Sequence, residues 1–186
     1  HFLNKNKDGN YFSQLKMKIE YRLNNKKEID RIFSLANKVN QFIFSFKRFS
    51  KNKISEYFKN PNKFIFTISL KDKFSDSGNI GVIFFSKNDN KIILDEICIS
   101  CRALGRNLED YFIFYPLKIL SKNFKFESLT LKFSIGPKNY PARKYFEKLH
   151  KLVKKDKKIK NKIILKNQNF KKINIQEKDI QLKFKK

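Results

Sequence analysis

A chain of 186 residues, 40% hydrophobic and 15% aromatic, carries enough apolar mass for one domain with a real core, which excludes a disordered polymer despite 32% charged residues. No run reaches the ~18 apolar residues that span a bilayer, and no basic-then-apolar leader is present. The net charge of +26 invites a nucleic-acid partner. Residue usage argues against it: six arginines stand beside 37 lysines, whereas phosphate recognition favours the planar arginine fork.

The opening stretch is polar, and residues 1–14 read as a linker or the cut end of an upstream domain. Residues 15–186 form one domain. Leu15 to Leu23 alternates apolar and polar residues, as a strand does. Asn24 or Asn25 caps a following helix whose stripe is Ile29, Ile32, Phe33, Ala36 and Val39. Asn40 and Gln41 then lead into the aromatic run from Phe42 to Phe49, which reads as a core segment and contains Arg48; amides and a guanidinium beside it need bonding partners. A short helix, Ile54 to Phe58, ends before Pro61. Phe64–Leu70 and Asn79–Phe85 form an antiparallel hairpin around the charged turn Asp72–Ser77, and Asn88–Asn90 turns the chain into the next strand.

That next strand, from Lys91 to Ile99, is apolar on both faces. Arg102, Gly105 and Arg106 follow, and a helix begins near Asn107 and runs to Leu120. A buried strand, an Arg/Gly turn and a helix N-terminus together make an anion site. Leu129 to Ile135 reads as another strand, and Gly136 to Arg143 breaks the chain before a helix with Ala142, Tyr145, Phe146 and Leu149 on its buried face. Lys151–Lys160 is a charge run, and Ile163–Leu165 and Ile180–Phe184 are basic C-terminal strands that finish the sheet.

The two cysteines, Cys98 and Cys101, are expected on one strand with their side chains on opposite faces, so they should not pair. That implies a reduced, cytoplasmic setting. Cys98 reads as a small buried hydrophobe. Cys101 adjoins Arg102 and a helix start, a setting that favours a nucleophilic thiol. Asp76 is a base or polar substrate contact, against the plainer reading of a turn residue. Asp95 and Glu96 are adjacent on a strand and are expected to face opposite ways. His1 and His150 form no metal set.

The element order, with Arg102-x-x-Gly105-x-Asn107 between the fourth strand and its helix, resembles the GNAT acyltransferases, whose turn there is R/Q-x-x-G-x-G/A. Asn139-x-Pro141-Ala142-x-x-Tyr145-Phe146-Glu147-Lys148-Leu149 is similar to a later block of that family. The resemblance implies an α/β (α+β) fold with a mixed, mainly antiparallel sheet flanked by helices, splayed beside the Cys101–Asn107 turn. It also implies that Arg102, Gly105, Arg106, Asn107 and Asn139 hold coenzyme A or the phosphopantetheine of a carrier protein. Phe146 stands where the family often has a Tyr acting as general acid, and that role is not carried over.

Four blocks narrow the likeness: Asn40-Gln41-Phe42 with Lys47-Arg48-Phe49, Lys71 to Val82, Ser100-Cys101-Arg102 with Gly105-Arg106, and Pro137-x-Asn139. Together, over roughly Leu15 to His150, they resemble the C-terminal half of FkbH-like (HAD-IIIC type) proteins. There an upstream HAD-like domain precedes this half, and the whole is implicated in moving a glyceryl group from 1,3-bisphosphoglycerate to an acyl carrier protein. The HAD motif D-x-D-x-T/V is absent from this chain. The resemblance implies a transferase domain handling an acyl thioester, with Cys101 and Asp76 as catalytic candidates and Asn40, Gln41 and Arg48 as substrate contacts. Two other classes stay open: a GNAT-shaped module that docks an acidic carrier protein without catalysis, and a nucleic-acid binder resting on bulk charge alone.

Overall fold

The computed structural model describes residues 15–153, 161–170, 173 and 180–185. The expected linker 1–14 and most of the charge run Lys151–Lys160 lie outside the described residues. Lys151 to Val153 continue a helix instead of starting a connection.

The elements are β1 (Met17–Leu23), α1 (Ile29–Lys38), β2 (Phe42–Ile43), α2 (Lys51–Lys59), β3 (Lys63–Lys71), β4 (Asp76–Asn88) and β5 (Lys91–Ile99). They continue with α3 (Glu109–Leu120), β6 (Ser128–Lys132), α4 (Tyr140–Val153), β7 (Lys162–Lys166), the single turn α5 (Asn167–Phe170) and β8 (Ile180–Lys185). One sheet runs in the order β7-β6-β5-β4-β3-β1-β8. Its pairs are antiparallel except β5 with β6 and β1 with β8. This is the mixed, mainly antiparallel sheet expected.

Two apolar layers sandwich the sheet. On one face Ile32, Leu35 and Ala36 of α1 and Ile54 and Tyr57 of α2 pack on Ile65, Val82, Phe84 and Cys98. On the other, α3 and α4 cover Phe66, Phe85, Leu94 and Ile97. Because helices cover both faces, Ile80–Phe85 of β4 and the Ile92–Leu94 and Ile97–Ile99 stretches of β5 read as continuous apolar runs instead of alternating ones.

The parallel pairing of β5 with β6 holds only from Lys91↔Ser128 to Leu94↔Leu131. Beyond Leu94 the two strands part. A bulge opposite Phe84–Phe85 leaves Asp95 without a ladder partner at that point. The opened edge of β5 is taken by β2, with Phe42 opposite Ile99 and Ile43 opposite Cys98. The aromatic run was expected to be a core segment, and it is, but it is also a strand filling the gap between two others. On its far side Ser134 N–H donates to the Phe44 carbonyl at 2.8 Å, and Ser45 Oγ donates to the Lys132 carbonyl at 3.3 Å. Those bonds, with Phe133 N–H donating to the Asn161 carbonyl, explain why the strand expected through Ile135 stops at Lys132.

Glu96 fixes the middle of this segment. Its carboxylate is fully buried and accepts from the amides of Phe44 (2.9 Å), Ser45 (3.0 Å), Lys47 (2.7 Å) and Ile97 (3.0 Å). Burial pushes the carboxyl above its ordinary range while those amides pull the other way. Asp95 and Glu96 were expected to face apart; the bulge brings both to Lys47, Glu96 through its amide and Asp95 through its ammonium at 3.4 Å. Each buried donor left unpaired costs roughly 1–3 kcal/mol, so Glu96→Ala is expected to lose more than about 3 kcal/mol. Asp95→Ala, which leaves only the Tyr57 hydroxyl without its acceptor at 3.0 Å, should lose roughly 1–3 kcal/mol and less than Glu96→Ala. Urea unfolding of the two variants beside the parent chain measures both, and equal losses would show that the four amides find other partners.

Candidate functional site

β5 ends at Ile99, and the chain turns through a 3-10 segment, Cys101–Ala103. Cys98 and Cys101 therefore do not share a strand, as had been expected. Cys98 is buried with its Sγ 4.0 Å from the Ala36 carbonyl, and burial pushes its thiol well above the usual range. Cys101 is exposed, and both thiols are free.

Gly105 sits at φ +77° and Asn107 at φ +55°, left-handed conformations that stop any helix from starting at Asn107. The helix begins instead at Glu109. Its first turn already carries two carboxylates. Asp110 accepts from Tyr145 Oη at 2.7 Å and Lys148 Nζ at 2.8 Å, and burial raises the Glu109 carboxyl above its ordinary range. This helix terminus is thus less open to an anion than a bare one.

The turn is braced from the β3–β4 loop. Arg106 Nη1 lies 2.6 Å from Asp72 Oδ2, while Asp72 Oδ1 accepts from the amides of Phe74 and Ser75 at 2.8 Å. The Arg106 guanidinium is thereby engaged within the protein. Arg102, by contrast, is exposed, with its Nε directed at Ser100 Oγ at 3.5 Å.

Beside Arg102 opens a cavity of about 350 Å³. Its walls come from α1 (Arg31, Lys38), the entry to β2 (Asn40, Gln41), the end of β5 with Cys101 and Arg102, and Lys138. The structure thus brings the Asn40–Gln41 pair together with Cys101 and Arg102, some sixty residues further on. Arg48 stands behind the wall. It donates to the Ala36 and Val39 carbonyls at the end of α1 and, at 2.8 Å, to Asn40 Oδ1, so it caps the helix and orients the amide.

Other expected residues lie elsewhere. Asp76 accepts from the Gly78 amide at 3.0 Å and lines a separate depression with Lys18, Glu20 and Arg22. Gly105, Arg106 and Asn107 do not line the Cys101 cavity. Asn139 is fully buried: Oδ1 accepts from the Gly136 amide, and Nδ2 donates to the Ile43 and Ser134 carbonyls. The bond to Ile43 ties the loop to β2, and the other two close the Ser134–Asn139 turn on itself. Gly136 is required there because a Cβ would come within 2.2 Å of the Phe46 ring.

Sequence reasoning missed Arg31, Lys38 and Lys138 as cavity residues. Arg31 had a signal in the scarcity of arginine; the two lysines were hidden among 37.

The architecture matches solved structures. Aminoglycoside acetyltransferase AAC(6')-Ib in complex with coenzyme A aligns at a TM-score of 0.55 with 12% identity, over 83% of this chain and 98% of its own. The dodecameric spermidine N-acetyltransferase from Vibrio cholerae aligns at 0.55 with 10% identity, over 82% and 95%. The ribosomal-protein-S18-alanine N-acetyltransferase from Escherichia coli aligns at 0.52 with 11% identity, over 70% and 76%. The fold is that of these N-acetyltransferases. At such identities the likeness carries the fold alone. No protein-family model matches the sequence, and no curated protein matches it.

The fit of a coenzyme A arm can be tested on the sheet itself. An extended amide-bearing arm anchored at the Arg102–Asn107 turn would run as an added strand along the opened edge of β5. That edge is occupied by β2 at Cys98 and Ile99 and by the amides gathered on Glu96. The residues present do not fit such an arm there. No helix of the described residues is long and apolar enough to cross a membrane.

Although burial opposes it, the Arg106 guanidinium and the amides of Phe74 and Ser75 hold the Asp72 carboxyl below its ordinary range. A depressed carboxyl stabilises the fold above its unfolded pKa of about 3.9 and loses that contribution as pH falls through the folded value. Asp72→Asn is therefore expected to be less stable than the parent by a constant margin from pH 7 to pH 5, narrowing below about pH 4. Thermal unfolding across that range reads the margin; one that widens on acidification would contradict the pairing.

Proposed function

We propose that this chain is an acyl-transfer domain on the GNAT fold, with Cys101 as the acceptor of an acyl group delivered as a thioester. The observation that carries this reading is the cavity at the end of β5, where Cys101 shares walls with Asn40, Gln41, Arg102 and Lys138. These residues come from three of the four sequence blocks that resemble FkbH-like proteins. The fourth block supplies Asp72, which braces the turn through Arg106. In this reading the finer assignment is transfer of a short acyl group, glyceryl among them, to or from an acyl carrier protein, together with an upstream HAD-like partner domain.

The step is simple in its atoms. The Cys101 thiolate adds to the thioester carbonyl, a new C–S bond forms to Cys101, and the bond to the carrier sulfur breaks. The carrier leaves as a thiolate and takes a proton from water. Asn40 and Gln41 offer amide donors to the carbonyl oxygen, and Arg102 adds positive charge where negative charge develops. Because β2 fills the edge of β5, the thioester approaches from the solvent side of the cavity, and coenzyme A and carrier protein differ as donors by what they contact outside it.

A docking module without catalysis is the second reading. It is favoured by the same filled edge, which removes the groove a bound arm would use.

Cys101→Ser separates the two. With the whole chain, an acyl thioester and intact-protein mass spectrometry, the parent is expected to gain one acyl increment that is absent in Cys101→Ser and present in Cys98→Ser. Retention of the increment in Cys101→Ser would leave only the docking reading.

A further inference from the structure

A second cavity opens at the other end of β5. It has a volume of about 700 Å³ and lies between the C-terminal half of α3, the α3–β6 loop, the β4–β5 turn and α5. The nine residues of β5, roughly 30 Å of strand, separate it from Cys101. Its floor is apolar and mostly aromatic, with Phe114 and Leu117 from α3, Phe124 and Phe126 from the loop, and Phe170 and Ile173 beyond β7. Protein interiors are close-packed and leave few voids larger than a water molecule. A space of this size is in the range of small-molecule sites.

The walls are held from outside the cavity. Phe124 packs on Phe64 of β3 with ring centroids 5.3 Å apart. Glu127 N–H donates to the Asn90 carbonyl at 2.8 Å and Asn167 N–H to the Glu127 carbonyl at 3.2 Å, which ties the loop to the β4–β5 turn and to α5. The last four carbonyls of α3 already accept: Leu117 and Ile119 from the Ser121 and Lys122 amides, Lys118 from the Ser121 hydroxyl, and Leu120 from the Phe124 amide. Recognition of a polar ligand group thus falls to side chains at the rim. Lys118 and Lys125 are exposed there, Glu127 is the one carboxylate among the described lining residues, and Asn90, Ser121 and Asn167 are neutral.

We propose that this cavity binds an apolar monocarboxylate, a medium-chain fatty acid, with its chain over the phenylalanine floor and its carboxylate at Lys118 and Lys125. The floor offers a hydrocarbon chain a way out of water. The Phe114 and Phe126 rings meet that of Phe170 at 58° and 72°, and such tilted and edge-on faces suit a flexible chain better than a flat ring. At the mouth, two ammonium groups against one carboxylate favour an anionic head and oppose a cationic one. The site shares no lining residue with the Cys101 cavity, and the proposal stands without the acyl-transfer reading.

Anilinonaphthalene sulfonate, an apolar anion whose fluorescence rises in an apolar site, is titrated onto the whole chain as the reporter. Decanoate, below its micelle concentration, is expected to displace it and to raise the unfolding temperature. Acetate has the head without the chain, and decyltrimethylammonium has the chain with a cationic head; both should displace the reporter several-fold less well. Lys125→Glu should weaken decanoate several-fold. Lys59→Glu makes an equal charge change on α2, across the sheet, and should leave decanoate binding unchanged. Ser121→Trp puts an indole in the mouth and should remove binding. Ser121 is exposed and has a helical φ of -64°, so the larger side chain is compatible with the backbone there.

Unfolding temperatures without ligand verify that each variant folds, and if Ser121→Trp does not, Lys125→Glu decides alone. No displacement by decanoate, equal displacement by decyltrimethylammonium, equal weakening in Lys59→Glu, or unaltered binding in a folded Ser121→Trp would each overturn the proposal. A reporter signal per chain that falls as the chain concentration rises would assign the cavity to a second copy and overturn it as well. None of these readings depends on Cys101, so failure here and failure of the acceptor role give different results.

Discussion

Four backbone amides converge on one buried carboxylate, and the arrangement of the sheet around the cavity depends on that convergence. β5 and β6 part after Leu94 because one is bulged at Asp95 and the other turns away at Lys132. Parted strands leave unpaired amides and carbonyls in the middle of a core, which is costly. The Phe42–Lys47 segment resolves the problem on both sides, and Glu96 accepts the amides that no carbonyl reaches. Asn139 does the complementary work by donating to carbonyls on this segment and the loop beyond.

The consequence for the site is positional. With Ile43 and Phe44 locked between β5 and the Ser134 loop, the residues just before them, Asn40 and Gln41, are delivered to the end of β5 where Cys101 lies. Arg48, just after the segment, reaches back to Asn40 and to the carbonyl end of α1. The wall of the cavity is therefore set by the same bonds that close the sheet, and the Asp72–Arg106 pair fixes the turn on its other flank.

Much of the fold was legible because its signals are local. The alternation in β1, the stripe of α1 and the apolar runs of β3 to β5 each identify an element. Gly105 and Arg102 mark the turn. The role of the Phe42–Lys47 segment was not legible, because its bonding partners, Glu96 and Asn139, lie about 50 and 95 residues away in sequence. A Glu flanked by Asp95 on a strand reads as one of an alternating pair, and only the bulge turns both toward Lys47. Asp72 read as a turn residue for the same reason: its counter-charge comes from a distant loop. Asn139 was expected to hold a ligand and instead spends its amide inside the core.

The far side of the sheet closes in a different way. β8 lies parallel to β1, from Met17↔Ile180 to Arg22↔Lys185, so this pairing ties almost the whole chain into one loop. A loop of that length carries the largest closure entropy of the sheet's pairings, whereas β3, β4 and β5 join through short hairpins. On a ribosome, the outer edge of β1 stays bare until the β8 residues emerge, a template for pairing with another nascent chain. The face of β1 not turned to the core carries Lys18, Glu20 and Arg22. Charges there make an unwanted neighbour expensive to accept, and when β8 arrives its Lys185 finds Glu20 waiting at 2.8 Å.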